Sequence, residues 1–304
     1  MKILIIINPI SGTEAARKKA RKCVAAIEKE FGVQAVQTQR AGHATELAQQ
    51  AVKDGVELVI AVGGDGTVNE VASALVGCQT ALFIVPTGSG NGLARDLGMF
   101  NLSPKQMIER IKNFAQGKQS IDCGKVLGRN FFCTCGSGFD AHIGHLFAQT
   151  KVRGFLTYIK LSLSAYKNYT PLTYTLKYSS KNPSESENPT ENTTQSITEK
   201  AFVINIANNK QFGNNAYIAP MANMQDGLFT ITVIKPFRWY HIPYMAYSLF
   251  FKGMHKNKFA YTFDCADCHL TLPEGAVLHI DGEPITHNQS VVEIKMQKAA
   301  LKVI

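Results

Sequence analysis

Leu58-Val59-Ile60-Ala61-Val62-Gly63-Gly64-Asp65-Gly66-Thr67-Val68-Asn69-Glu70-Val71 passes from an apolar run into a turn almost without side chains. Five apolar residues without alternation, Leu58 to Val62, are what a strand covered on both faces shows. Gly63, Gly64 and Gly66 let main-chain N–H groups approach an anion, and a helix opening at Thr67 turns its positive end to the same point. A polyphosphate suits such a place. Asp65, the charged residue among the glycines, would repel phosphate unless a cation or a hydroxyl proton stood between them, so it implies Mg²⁺ or a hydroxyl acceptor.

Two further stretches repeat the pattern. Ala81 to Val85 is a second apolar run, and Pro86-Thr87-Gly88-Ser89-Gly90-Asn91-Gly92 ends it before a short helix through Leu93, Ala94 and Arg95. Ile3 to Ile7 leads into Asn8-Pro9-Ile10-Ser11-Gly12. In an open parallel sheet, ligands collect at the carboxyl ends of the strands, so the three loops are expected to line one crevice.

Asn8-Pro9 with Ser11-Gly12, Thr38 with Gly42-His43-Ala44, Gly63-Gly64-Asp65-Gly66-Thr67 with Asn69-Glu70, and Gly88-Ser89-Gly90-Asn91 with Ala94-Arg95 together resemble the diacylglycerol kinase catalytic domain family. That family includes bacterial diacylglycerol and related lipid kinases, sphingosine kinases and ceramide kinases. The resemblance implies ATP and Mg²⁺ as cofactors. It also implies nucleotide contacts from Asn8, Pro9, Ser11, Gly12, Thr38, Gly63, Gly64, Asp65, Gly66, Thr67, Asn69, Glu70, Gly88, Ser89 and Asn91.

Around these motifs the chain alternates strand and helix. Ala16, Ala20, Cys23, Val24, Ile27 and Phe31 share one face of a helix from Thr13 to Phe31, Val33 to Thr38 reads as a strand, and Gly42-His43-Ala44 opens a second helix. Ser103-Pro104-Lys105-Gln106 has the cap, first-turn proline and glutamine of a further helix start. The expected fold is an α/β amino-terminal domain with a parallel sheet, residues 1–119, followed by a mainly antiparallel β-sandwich domain, residues 120–295. By resemblance, 296–304 return to the first domain.

From Ser120 on, short segments separated by polar turns take over: Ile121 to Val126, Phe131 to Cys135, Leu172 to Tyr178, Ala201 to Ile206, Leu228 to Ile234, Lys258 to Phe263, Leu270 to Leu272 and Val277 to Ile280. Val291 to Lys295 and Ala300 to Val303 close the set. Ser179 to Thr198 reads as a polar surface insertion. Leu156 to Tyr169 and Trp239 to His255 read as helices. Leu161, Leu163, Tyr166, Met245, Leu249, Phe250 and Phe251 on them would ordinarily pack on a sheet, and in a lipid kinase would wall an acyl-chain slot.

The 304 residues carry a formal net charge of +9, which favours anionic partners. No apolar run approaches the ~18 residues needed to span a bilayer, so a cytoplasmic protein is expected. Seven cysteines fit a reducing compartment. Cys133, Cys135, Cys265 and Cys268 have zinc-like spacing but sit in strand-like apolar patterns. The partners implied are a lipid substrate at a membrane surface, with transient peripheral contact, and no nucleic acid; homodimerisation is left open.

His279-Ile280-Asp281-Gly282-Glu283-Pro284 adds two carboxylates around a glycine turn. The resemblance implies Glu283 as general base with Asp281 as its partner and Asp65 as the nucleotide–magnesium carboxylate, although in the sphingosine kinase branch the glycine-loop aspartate takes the base role. Asn223-Met224-Gln225-Asp226-Gly227-Leu228 is similar to the structural magnesium loop of bacterial members, which implies Asp226 with the carbonyls of Asn223 and Leu228 as ligands. Gly92 after Asn91 departs from the acidic residue usual in bacterial diacylglycerol kinases. A sphingoid-base kinase is therefore the alternative, with an NAD kinase or a non-catalytic nucleotide-binding regulator behind it.

Overall fold

A computed structural model of the chain describes residues 1–150, 155–180, 193–285 and 287–304. They form two compact units, Met1–Cys123 with Lys298–Ile304, and Gly124–Gln297.

The first unit alternates strand and helix through β1 (Ile3–Ile7), α1 (Glu14–Phe31), β2 (Ala35–Gln37), α2 (His43–Lys53), β3 (Leu58–Gly63), α3 (Asp65–Leu75), β4 (Ala81–Pro86), α4 (Gly92–Asp96), α5 (Pro104–Lys112) and α6 (Phe114–Gly117). Its strands are parallel in the order β2-β1-β3-β4. Every residue of β3 is buried, as the unbroken apolar run requires. Local chemistry sets the helix ends. Thr13 accepts from the Ala16 N–H at 3.3 Å to start α1, and left-handed Gly32 closes it with an N–H to Glu28 O. Ser103 and Gln106 form a capping box at α5. Because β2 and β3 lie on opposite sides of β1, the strand order reverses there, and the carboxyl ends of β1 and β3 flank the switch point where such sheets take ligands.

The chain leaves this unit within β5 (Gln119–Val126) and continues through β6 (Arg129–Phe131), β7 (Thr134–Gly138), α7 (Phe139–Ala148), α8 (Phe155–Tyr166), β8 (Leu172–Ser180), β9 (Thr193–Ala201), β10 (Val203–Ala207), β11 (Phe229–Ile234), α9 (Ile242–Phe250), β12 (Ala260–Cys265), β13 (Cys268–Thr271), β14 (Leu278–Ile280), β15 (Glu283–Ile285) and β16 (Val291–Val303). In the second unit β12-β11-β10-β7-β14-β15 form an antiparallel sheet, while β13 pairs antiparallel with β8 and with the first residues of β16. Leu176, Leu270 and Val292 from one sheet share a core with Ile204, Ile231 and Leu278 from the other, which makes a sandwich. Alternate residues of β10, Val203 and Ala207, face the opposite side with Ile218 and Met245.

Several boundaries differ from the sequence pattern. Phe131 to Cys135 is not one strand: β6 stops at Phe131 and β7 starts at Thr134, because the N–H groups of Phe132, Cys133 and Thr134 all turn to the Asp281 carboxylate. The last two expected strands are a single strand, β16. Trp239 to His255 is not one helix but a turn at Trp239–His241, α9, and a second turn at Met254–Lys256, interrupted where Lys252 takes a positive φ of 57°. Residues 193–198 of the expected polar insertion belong to β9, and 181–192 lie outside the described residues. α7 was not anticipated. Cys135, Cys265 and Cys268 pack in the apolar core, and no group of His, Cys, Asp and Glu suited to a metal occurs among the described residues.

Candidate functional site

In the first unit the three glycine-bearing loops meet at the carboxyl ends of β1, β3 and β4. Asn8 N donates to Val62 O at 2.9 Å, and its Nδ2 donates to Thr67 Oγ1 at 2.9 Å. Thr87 N donates to Gly63 O at 2.8 Å, and its Oγ1 to Ser11 Oγ at 3.0 Å. The glycines are there because backbone meets backbone. A Cβ on Gly12, which has a φ of +78°, would lie 1.9 Å from Thr87 O, and one on Gly88 would lie 3.0 Å from the Gly64 Cα. Thr38 stands beside this cluster, its N–H donating to Ile7 O at 2.8 Å.

Asp65 opens α3 and reaches across to the next loop. Its Oδ2 accepts from Asn91 N at 2.9 Å and its Oδ1 from Gly92 N at 3.1 Å, so it caps α4, whose own cap residue Asn91 gives the helix no side-chain bond. Burial raises the Asp65 carboxyl above its ordinary range, against the opposing pull of these N–H groups and of Arg95. Glu70, one and a half turns along α3, does the same for α2: its carboxylate accepts from Gly42 N at 3.0 Å and Ala44 N at 3.2 Å. Asn69 accepts from the Ser73 hydroxyl at 3.2 Å.

Polyphosphate chemistry fits what remains. α3 begins without a side-chain cap, Gly66 in its first turn and Ser89 in the loop after β4 are exposed, and the Oδ1 of Asn91, a residue only 2% exposed, has no hydrogen-bond partner.

The second unit holds the other expected carboxylates. Asp281 and Gly282, with φ of 48° and 82°, make the two-residue turn between β14 and β15, in which Ile280 pairs with Glu283. The Asp281 carboxylate accepts from Phe132, Cys133 and Thr134 N–H groups at 2.8–3.0 Å, and its own N–H donates to Thr134 O. Asp281 thus fastens the hairpin, and Glu283 follows it, exposed. Beneath the turn, the buried His279 Nε2 lies 3.1 Å from Oδ2 of the largely buried Asp140. Asp140 was not singled out from the sequence; its signal is the Gly136-Ser137-Gly138-Phe139-Asp140 turn from β7 into α7, which resembles the other strand-to-helix turns of the chain.

The expected magnesium loop is an exposed turn. Asp226 Oδ1 accepts from Leu228 N at 2.9 Å and Asn223 Oδ1 from Gln225 N at 3.2 Å, with Gly227 at a φ of 71°. All donors it offers are oxygens, the kind a hard cation takes.

Residues 2–126 match the model of the diacylglycerol kinase catalytic domain, and residues 133–304 match that of the YegS C-terminal NAD kinase beta sandwich-like domain. The chain belongs to the diacylglycerol kinase family. Among its relatives is a protein of Mycobacterium tuberculosis named diacylglycerol kinase, 26% identical over 77% of this chain and 73% of its own. Another, of Pectobacterium atrosepticum, is named a probable lipid kinase YegS-like and is 24% identical over 96% of this chain and 92% of its own. The crystal structure of a diacylglycerol kinase from Bacillus anthracis shares the fold, with a TM-score of 0.71 at 19% identity over 100% of this chain and 96% of the other. The glycine loops fall in the catalytic-domain match and the Asp281–Glu283 hairpin in the sandwich match.

Proposed function

We propose that this chain transfers the γ-phosphoryl group of ATP to the hydroxyl of a lipid alcohol, diacylglycerol or a related lipid. The reading is carried by the pinned hairpin: Asp281 spends its carboxylate on three N–H groups, which leaves Glu283, exposed at the first position of β15, as the carboxylate able to accept a hydroxyl proton. Asp65 is tied to Asn91 and Gly92, which favours an electrostatic role over proton transfer. The loops at Asn8–Gly12, Gly63–Thr67 and Gly88–Asn91 would orient the phosphates through main-chain N–H groups and the α3 terminus.

Mg²⁺ bound with ATP would neutralise charge on the transferring phosphoryl group, and Asp65, which opens α3 at the end of the Gly63–Gly64 turn, would be the carboxylate to face it. A second Mg²⁺ would be held by Asp226 with the carbonyls of Asn223 and Leu228, stiffening that turn. The sphingoid-base alternative rests on Gly92, whose N–H donates to Asp65 where an acidic side chain would otherwise follow Asn91.

The test is labelled ATP with a panel of diacylglycerol, ceramide, sphingoid base and NAD. Phosphorylation of diacylglycerol by the wild type, reduced at least 100-fold by Glu283→Gln with ATP binding retained, is the expected result. Full activity in Glu283→Gln, or NAD as the acceptor, overturns the reading.

A further inference from the structure

From Gly227 to Phe263 the chain contains no Asp or Glu but has Lys235, Arg238, Lys252, Lys256 and Lys258. Lys235 is paired with Glu199, while the other four are exposed. Within this segment α9 has two faces. Met245 and Ser248 turn inward, and buried Asn257 fixes that side by donating to Ser248 Oγ at 2.8 Å. Outward, Tyr247 and Phe251 are 62% and 70% exposed and stack on each other at 4.8 Å. Trp239 is 72% exposed in the turn that precedes the helix, next to Tyr240 at 51%.

Large exposed aromatic rings cost free energy in water, so their grouping on one face needs an occupant. Trp and Tyr combine an apolar body with a polar edge, the property that places them at the boundary between acyl chains and headgroups. Flanking Lys and Arg without intervening acids select an anionic surface. α9, with 9 residues, is too short to span a bilayer and suits one lying along it.

We infer that the face made by Trp239–His241 and α9 docks on an anionic phospholipid bilayer. The inference deepens the lipid-kinase reading and rests on it for the origin of the substrate.

Trp239 is the single tryptophan of the chain, so its emission reports on this face alone. The full chain is titrated with phosphatidylglycerol and with phosphatidylcholine vesicles. The expected result is a blue shift with phosphatidylglycerol and binding at least tenfold weaker to phosphatidylcholine. Lys256→Glu should weaken the anionic-vesicle affinity by at least fivefold. Tyr247→Ser should weaken it several-fold, with thermal transitions unchanged and wild-type phosphorylation of detergent-dispersed lipid. Absence of a shift with either vesicle overturns the docking face, as does a shift that grows with protein concentration in the absence of lipid, which would make the occupant a second copy. Vesicle binding without phosphorylation of any lipid sinks the kinase reading and leaves the docking face standing; phosphorylation of dispersed lipid without a vesicle shift does the reverse.

Discussion

Asp65 combines two demands that pull its carboxyl in opposite directions. The N–H groups of Asn91 and Gly92 favour the charged form, while burial disfavours it more strongly, and the net effect is a raised pKa. The consequence for stability follows from linkage. Between the ordinary value of 3.8 and the higher folded value, the native chain holds more protons than the unfolded one, so stability falls as pH rises through that window. Asp65→Asn cannot titrate. The urea midpoint of the wild type relative to Asp65→Asn should therefore be flat below pH 3.8, decline above it, and level off past the folded value. A difference that instead grows with pH in this window would show that the N–H bonds outweigh burial. During catalysis a cation brought by the nucleotide would restore the charged form of Asp65.

At the scale of elements, α3 organises the first unit. Two acids on this helix supply the caps that α2 and α4 lack, since Gly42 and Asn91 give no side-chain bond to the helices they precede. This was only half legible in the sequence. The Gly63–Thr67 turn is legible because two further apolar runs, Ile3 to Ile7 and Ala81 to Val85, end in glycine-bearing loops of the same type, and the helix faces and the capping box at Ser103 are written in local spacing. Glu70 carries no such mark, because its partners are 26 and 28 residues away and the need they express is an absence, a helix start without an acceptor of its own. The break at Phe132 and Cys133 was hidden for the same reason, set by Asp281 some 148 residues later. Glu70→Ala should cost about 1–2 kcal/mol in denaturant unfolding, and Glu70→Gln, which keeps one acceptor, less than half of that. Hydrogen exchange at the Gly42 and Ala44 amides should quicken in the alanine variant while that at Asn91 stays unchanged. Equal acceleration at all three amides would mean that Glu70 supports α3 itself rather than capping α2.

At the scale of the whole molecule, the chain enters the second unit within β5 and returns within β16, so each of these two strands has one end in each unit. Cys268 to Thr271 pair with Ile294 to Val291 at one end of β16, and Lys302 and Val303 pair with Ala81 and Leu82 at the other. Leu301, Val303 and Ile304 are fully buried, and Ile304 N donates to Leu82 O at 3.2 Å. Burial of three such side chains is worth roughly 1.5–3 kcal/mol each, which together rivals the ~5–15 kcal/mol that holds a typical domain folded. Deleting residues 301–304 removes all of it from the first unit and none of the β13 pairing from the second. The truncated chain should therefore lose the thermal transition of the Met1–Cys123 unit, with protease cleavage appearing in α1 to α4, while Gly124–Gln297 melts as before. Retention of both transitions would mean that the parallel sheet closes on β4 without its last neighbour. Loss of both would mean that β16 couples the two cores so tightly that neither folds without the other.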